Sequence, residues 1–266
     1  MERSRLKNIV ILTLILVNAF LLVALFLRRS EGASARSRMT EELTSLFAAD
    51  GVRLDPDSIS DDLPPEGKTL DRDPTAEAEM AAYVLGPQTA TADEGGGIYT
   101  YTSALGQGFF HAGGSFDMTG RLVTDGIETF CRGFCKKYGY GDLSDTAGET
   151  GRSLTAVQYY GGYPVANATV TFLIQNGCLI SVSGTYISGR ELSARKDSMT
   201  AATALSAFLR FRRENGAVAS SVQDVSLCYQ LQSTSASPMT LNPAWCIATD
   251  TLRYYVSCSD GTVSHA

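Results

Sequence analysis

The chain has 266 residues, of which 44% are hydrophobic and 19% are charged. This composition excludes a disordered chain, and six cysteines are too few for a small scaffold built on disulfides. With 22 basic and 28 acidic residues the net charge is −6, which argues against nucleic acid as the main partner.

The most prominent feature is an uncharged apolar run near the start. Residues 9–27 read IVILTLILVNAFLLVALFL. A helix of this length spans roughly 28 Å, close to the ~30 Å hydrocarbon core of a bilayer. The run predicts a single transmembrane helix in the cell membrane. Residues 1–8 are then a cytoplasmic tail, and the larger C-terminal part is extracytoplasmic.

A cleaved signal peptide is the alternative interpretation of this run. Its apolar region normally has about 7–15 residues, and Ala33-Ser34-Ala35 resembles a cleavage site. Arg28 and Arg29 follow the run directly, which suits an uncleaved anchor better. Basic residues are almost equally frequent on its two sides, so the inside position of the N-terminus rests on the short basic tail.

Asn18 lies at the middle of the run and is the candidate residue for a transmembrane interface. One interpretation is a single amide that the membrane tolerates. The other is a hydrogen bond to a second transmembrane helix, which contributes about 0.6–2 kcal/mol.

The next segment, residues 28–74, is predicted as a juxtamembrane helix and linker. Residues 39–49 favour a short helix with Thr40 as its cap. Residues 50–74 are rich in Asp and Pro, and they predict an extended loop with one short strand.

Three further helices are predicted, each followed by segments with strand alternation. They cover residues 75–85, ended by Gly86-Pro87; about 126–138, with Asp125 and Glu128 as a capping box and Gly139 at the end; and about 199–214, closed by Asn215-Gly216. Asn176-Gly177 between two alternating segments predicts a hairpin turn.

These elements predict an α+β fold. A single N-terminal transmembrane helix is followed by repeated units, in each of which a helix covers an antiparallel sheet. Residues 75–187 would hold the first and second units, and residues 188–266 a C-terminal unit.

Three stretches resemble the YycI family, regulatory proteins of the WalK–WalR cell-wall two-component system. They are the N-terminal KNIVILTLILVNAFLL, the strand pair YPVANATVTFLIQNGCLISVSGTY at residues 163–186, and the C-terminal Pro243-Ala244-Trp245 with Tyr254-Tyr255-Val256 and Asp260-Gly261. The last stretch is also similar to the end of a PepSY-type domain. The Gly-rich residues 94–114 and the cysteines do not match the family pattern.

The resemblance implies a single-pass protein without catalysis and without a cofactor. Such proteins associate with the sensor histidine kinase WalK and the sister protein YycH, and they modulate the kinase through transmembrane and extracytoplasmic contacts. Asn18 and the span around it are the interface candidates that the resemblance carries over.

Motifs of hydrolases, nucleotide-binding loops and zinc proteases are absent from the sequence. His111 is the single interior histidine, and we expect it at the surface. The acidic pairs Glu41-Glu42 and Asp61-Asp62 are interpreted as solvated charges, and Gly95-Gly96-Gly97 as a flexible turn. Paired carboxylates of a cell-wall hydrolase are the weakest hypothesis.

The cysteines do not predict a metal site. Cys131 and Cys135 lie four residues apart on one predicted helix, a spacing that fits a disulfide poorly. The other four, Cys178, Cys228, Cys246 and Cys258, lie on predicted strands. We expect free, buried thiols, with one or two disulfides as the open alternative.

Two functions therefore remain in competition. The first is a membrane-anchored protein that modulates a WalK-like histidine kinase with a YycH-like partner. The second is a PepSY-like extracytoplasmic module that inhibits a peptidase or binds cell-wall peptide at a sheet edge. Residues 30–266 carry 17 basic and 27 acidic residues, which favours a protein partner over an anionic polymer.

Overall fold

The protein is described from a computed structural model, which covers residues 38–148, 151–234 and 237–265 together with the single residue Val17. In that part of the chain, the α-helices are α1 (residues 38–49), α2 (Pro74–Leu85), α3 (Ile127–Tyr138) and α4 (Ala201–Asn215), and one 3-10 helix covers Pro56–Ser58. The strands are β1 (Arg53–Leu54), β2 (Gly67–Leu70), β3 (Ala90–Gly95), β4 (Ile98–Thr102), β5 (Gly106–Phe110), β6 (Ser115–Val123), β7 (Ser144–Gly148), β8 (Gly151–Tyr160), β9 (Tyr163–Gln175), β10 (Cys178–Thr185), β11 (Glu191–Arg195), β12 (Ser221–Thr234), β13 (Ser237–Thr249), β14 (Arg253–Ser257) and β15 (Val263–His265).

The four predicted helices are present, with small differences at their ends. Helix α2 begins after Asp73, whose carboxylate accepts from the N–H groups of the first turn, and it ends before Gly86 as predicted. The predicted capping box of α3 is wrong, because Gly126 precedes the helix in a left-handed conformation and no side chain caps it. Thr40 lies inside α1 and is not its cap.

The predicted fold class is wrong. The fifteen strands in the described residues form one mixed sheet in place of repeated, separate helix-plus-sheet units. Strand β6 pairs with β10, and β9 pairs in parallel with β12, so hydrogen bonds cross both of the expected boundaries. The sheet is also not wholly antiparallel, since β1 runs parallel to β12.

Alternation within a strand cannot reveal this arrangement. It shows which face of a strand is buried, but not which strand lies beside it. Strands β9 and β12 have 13 and 14 residues, long enough to pair with different neighbours at their two ends.

In the described residues the core has two large parts, a smaller one between them, and a small cluster of Cys228, Ala244 and Tyr255. One large part lies between α2, α3 and the strands β4–β6 and β8–β10, with Phe134 and Phe172 at its centre. The other lies between α1, α4 and β12–β14, around Trp245 and Phe208. The joint cluster connects them and consists of Leu70, Val165, Ala168, Ile187, Tyr229, Leu231, Met239 and Leu241.

The predicted transmembrane helix at residues 9–27 lies outside the described residues, apart from Val17, which is helical. Among the described residues, no helix has the length and apolar character needed to cross a bilayer.

Candidate interaction surfaces

The first surface is an apolar groove between α1 and α4. Two adjoining depressions of about 340 and 270 Å³ share Met39 and Ala202. Large apolar side chains remain open to solvent here: Leu63 is 67% exposed, Met39 54% and Leu46 49%. We call this surface the α1–α4 groove. Exposed apolar side chains that lie together mark a binding surface more often than isolated ones do.

The groove rests on a rigid base. The buried face of α1 packs on α4, where the rings of Phe47 and Phe208 stack with their centres 6.3 Å apart. At the end of α1, Arg213 Nε donates to Asp50 Oδ2 over 2.6 Å, and this guanidinium lowers the pKa of Asp50. Ring packing and the ion pair therefore both connect α1 to α4.

The rim of the groove is acidic. Asp61 and Asp62 line one depression and Glu42 lines the other, and all three side chains are exposed. Glu41 is exposed on the same helix as Glu42. This surface thus combines an apolar floor with negative charge.

The second surface is a polar cleft of about 600 Å³ beside the joint cluster. Its walls come from the β3–β4 and β5–β6 turns and from β4, β6, β9, β10 and β12. The lining residues are Gly96, Ile98, His111, Ala112, Gly113, Ser115, Asn167, Thr185, Leu231, Gln232 and Ser233. Asp, Glu, Lys and Arg are absent from this lining in the part of the chain that the structure describes.

The cleft begins where strands β9 and β12 separate, and Asn167 lies at that point. Strands β9 and β12 pair at one position, Val165 with Tyr229, and then diverge. The Asn167 carboxamide bridges the gap: Nδ2 donates to the Leu231 carbonyl over 2.7 Å, and Oδ1 accepts from the Leu231 N–H over 2.7 Å. The Asn167 side chain thus makes the two hydrogen bonds to Leu231 that the backbone of a paired strand would otherwise make.

A buried ion pair lies near the other wall of the cleft. Glu77 is fully buried, and both of its carboxylate oxygens accept from Arg72 over 2.7 Å. Arg72 also donates to the Gly97 carbonyl and stacks over the Tyr99 ring at 5.0 Å. Burial raises the pKa of Glu77, while the Arg72 guanidinium opposes this. The pair fastens the β3–β4 turn to the start of α2.

The six cysteines are free thiols, which agrees with the expectation of free thiols and not with the alternative of one or two disulfides. Burial raises the pKa of Cys131 to about 12 and that of Cys135 to about 11, so neither thiol is poised for reaction. Cys178 and Cys246 are only half-buried, which differs from the expectation. Within the described residues, no cluster of metal-ligating side chains occurs.

The remaining sequence candidates are dispersed over the surface. His111 is exposed as expected, but it lines the polar cleft, which the sequence did not indicate. Gly95, Gly96 and Gly97 all have positive φ angles and form the turn between β3 and β4. Asn18, the candidate transmembrane contact, lies outside the described residues.

Sequence reasoning missed Asn167 and the groove residues. Asn167 lies in β9 between Ala166 and Ala168. An amide in a strand of alternating apolar residues was the available signal. Leu63 beside Pro64-Pro65 was a weaker signal for the groove, because a large apolar residue in a polar loop often packs against another surface.

Comparisons with known proteins leave the family open. The sequence matches no protein-family model and no curated protein. The resemblance to YycI is therefore not confirmed and stays a prediction.

Solved structures that resemble this one include an uncharacterized protein from Eubacterium rectale. It has a TM-score of 0.45 and 9% identity, over 77% of this chain and 81% of that one. Another is the C-terminal domain of YpeB from Bacillus megaterium, with a TM-score of 0.38 and 9% identity, over 74% of this chain and 98% of that one. At these scores neither likeness carries an argument about function.

Proposed function

We propose that this protein is a membrane-anchored extracytoplasmic regulator that binds a cell-wall-sensing histidine kinase of the WalK type, together with a YycH-like partner. The α1–α4 groove is the observation that carries the proposal. It is apolar at its floor and acidic at its rim, and it lies where the described chain begins.

The position of the groove suits a partner in the same membrane. Residue 38 follows the end of the predicted span by eleven positions. Eleven extended residues reach at most about 40 Å. Met39 and the groove are then within that distance of the bilayer surface, where the membrane-proximal part of a sensor kinase would also lie.

The proposed occupant is an amphipathic helix with basic side chains. A helix places apolar residues into a groove at intervals of three or four positions. Met39 and Leu46 lie two turns apart on α1 and would contact such a face. Basic residues on the partner would complement Glu42 and Asp62 at the rim.

Recovery of the kinase tests the proposal. The full-length chain is co-expressed with a WalK-like kinase, extracted in mild detergent and isolated through an affinity tag. We expect Met39→Glu and Leu46→Glu to lower kinase recovery at least tenfold, since each places a charge on the apolar floor. Both side chains are exposed, so the free energy of unfolding should change by less than about 0.5 kcal/mol.

Val218→Glu is the matched control. Val218 is 72% exposed at another surface, and the same substitution there should leave kinase recovery unchanged. Equal recovery with the wild type and both groove variants would contradict the proposal.

Asn18 gives a separate test of the transmembrane contact. We expect Asn18→Leu to weaken kinase recovery while it leaves membrane insertion intact, because leucine favours the bilayer. Recovery equal to that of the wild type would remove Asn18 from the interface.

The alternative is a PepSY-like module that inhibits a peptidase or binds cell-wall peptide. The outer strand β3 favours it, because all six residues are exposed and β4 is its paired neighbour at the end of the sheet. Asp93 and Glu94 on this strand oppose strand addition, since charges on an edge discourage pairing. Peptidase inhibition by the full-length chain without any kinase would favour the alternative.

A further inference from the structure

The polar cleft beside the joint cluster differs in chemistry from the α1–α4 groove. Its polar side chains carry hydroxyl, amide and imidazole groups, and they come from the β5–β6 turn and four strands. Within the described part of the chain, the side chains of His111, Ser115 and Thr185 make no hydrogen bonds. Gln232 accepts from Asn242 over 3.2 Å and keeps its amide N–H groups available. The cleft thus presents uncommitted polar groups towards one space.

The lining selects against charged ligands. An anion would meet no lysine or arginine in the cleft, and the chain carries a net charge of −6. A cation would meet no carboxylate there. An uncharged ligand with many hydroxyl groups matches the lining, because each group can donate and accept.

The same geometry disfavours an extended peptide. Strand addition needs free main-chain groups along an edge. The Leu231 N–H and carbonyl are bonded to Asn167, and the Gly113 carbonyl accepts from Ser233 Oγ over 3.0 Å. The backbone of β12 at Leu231 is therefore not free to pair with an added strand. A ligand in the cleft would be bound by side chains.

We propose that the polar cleft binds a neutral saccharide, through the side chains of His111, Ser115, Thr185 and Gln232. Ile98 and Ala112 on the wall contact the apolar face of a sugar ring. The volume of about 600 Å³ lies within the range of about 300–1,000 Å³ that small-ligand sites occupy.

Titration calorimetry on the full-length chain in detergent tests this site. The probes are two uncharged tetrasaccharides, one of N-acetylglucosamine and one of glucose. We expect saturable binding of at least one of them. The double variant His111→Ala with Gln232→Ala should raise its Kd at least tenfold, because two sets of hydrogen-bond donors are lost.

The double variant His265→Ala with Gln88→Ala is the matched control. It removes the same two residue types outside the cleft, and its Kd should equal that of the wild type. All four substituted side chains are exposed, and unchanged urea unfolding of both variants shows that the fold is intact.

Three results would overturn the proposal: no saturable binding of either tetrasaccharide, equal loss of binding in both double variants, or displacement of the sugar by an uncharged blocked tetrapeptide at equal concentration. The Leu46→Glu variant separates this site from the proposed function. Saccharide binding should persist in it even though kinase recovery falls, and a failure of one proposal leaves the other standing.

Discussion

The Arg72–Glu77 pair is the residue-scale feature on which the region around α2 depends. Glu77 is fully buried, and the side chain of Arg72 is only 15% exposed. We expect Glu77→Gln to lower the free energy of unfolding by about 3–5 kcal/mol, since it leaves a guanidinium buried without its counter-charge. Urea unfolding of the full-length chain measures this.

Glu128→Gln is the control for that change. Glu128 pairs with Arg152 at 2.7 Å, but both side chains are about half-exposed. Removing it should cost less than about 1 kcal/mol. Equal costs for the two substitutions would mean that burial does not set the strength of the inner pair.

Asp250 predicts a dependence of stability on pH. Its carboxylate accepts from the N–H groups of Ser220 and Ser221 over 2.9 and 3.2 Å, and these bonds hold its pKa below the ordinary 3.8. A lowered pKa in the folded state adds stability above the unfolded pKa, and this is lost as the pH falls through the folded pKa. Asp250→Asn should therefore destabilise the protein at pH 7, by an amount that shrinks below about pH 4.

The matched substitution is Asp117→Asn on β6. Asp117 is exposed, and its carboxylate has no hydrogen bond among the described residues. Its effect on unfolding at pH 7 should be small. A constant deficit for Asp250→Asn between pH 3 and pH 7 would contradict the assigned role of the charge.

At the scale of elements, the local sequence predicted the structure well where one or two residues determine the backbone conformation. Asn176-Gly177 forms the predicted turn between β9 and β10, with φ angles of 50° and 73°. Asp125 failed as a cap because the left-handed Gly126 takes the N-cap position, and the sequence does not show that choice. Residues 50–74 contain two short strands, β1 and β2, where one was predicted. Strands β7 and β11 were not predicted as separate elements, since their residues lack a clear apolar alternation.

Asn167 is the side chain that joins two long strands. We expect Asn167→Ala to lower the free energy of unfolding by about 1–2 kcal/mol, because two hydrogen bonds to Leu231 are lost. Asn167→Asp should not restore stability, since a carboxylate cannot donate to the Leu231 carbonyl. Chemical unfolding measures both.

Asn242→Ala is the matched control for Asn167→Ala, and Asn242 lies on β13, which pairs with β12. Asn242 makes one side-chain hydrogen bond, at 3.2 Å, to an exposed glutamine. Its loss should cost less than about 0.5 kcal/mol. If Asn167→Ala were equally mild, the carboxamide bridge would not hold β9 to β12.

At the scale of the whole molecule, the sequence indicated the helices and the strands but not their assembly. Apolar alternation is visible in the sequences of β9 and β12, and Val170 and Val225 on its apolar positions are both buried. The pairing of Val165 with Tyr229 joins segments 64 residues apart, and no local pattern encodes such a contact. The polar cleft lies at this long-range junction and was equally hidden.

The joint cluster should decide whether the molecule unfolds as one unit. Trp245 is the single tryptophan and reports on the α4 side of the core, whereas circular dichroism reports on all elements. In the wild type we expect both signals to follow one transition. Val165→Ala with Leu231→Ala should weaken the joint by several kcal/mol and separate the two curves.

A core substitution away from the joint distinguishes loss of coupling from loss of stability. Phe134→Leu lies at the centre of the α3 side of the core, and it should lower both midpoints together in an otherwise coupled molecule. Two separate transitions in the wild type would show that the joint does not couple the two large cores. One shared transition in the joint variant would show that coupling needs neither Val165 nor Leu231. Either result would leave the continuous sheet as a geometric feature without a role in cooperativity.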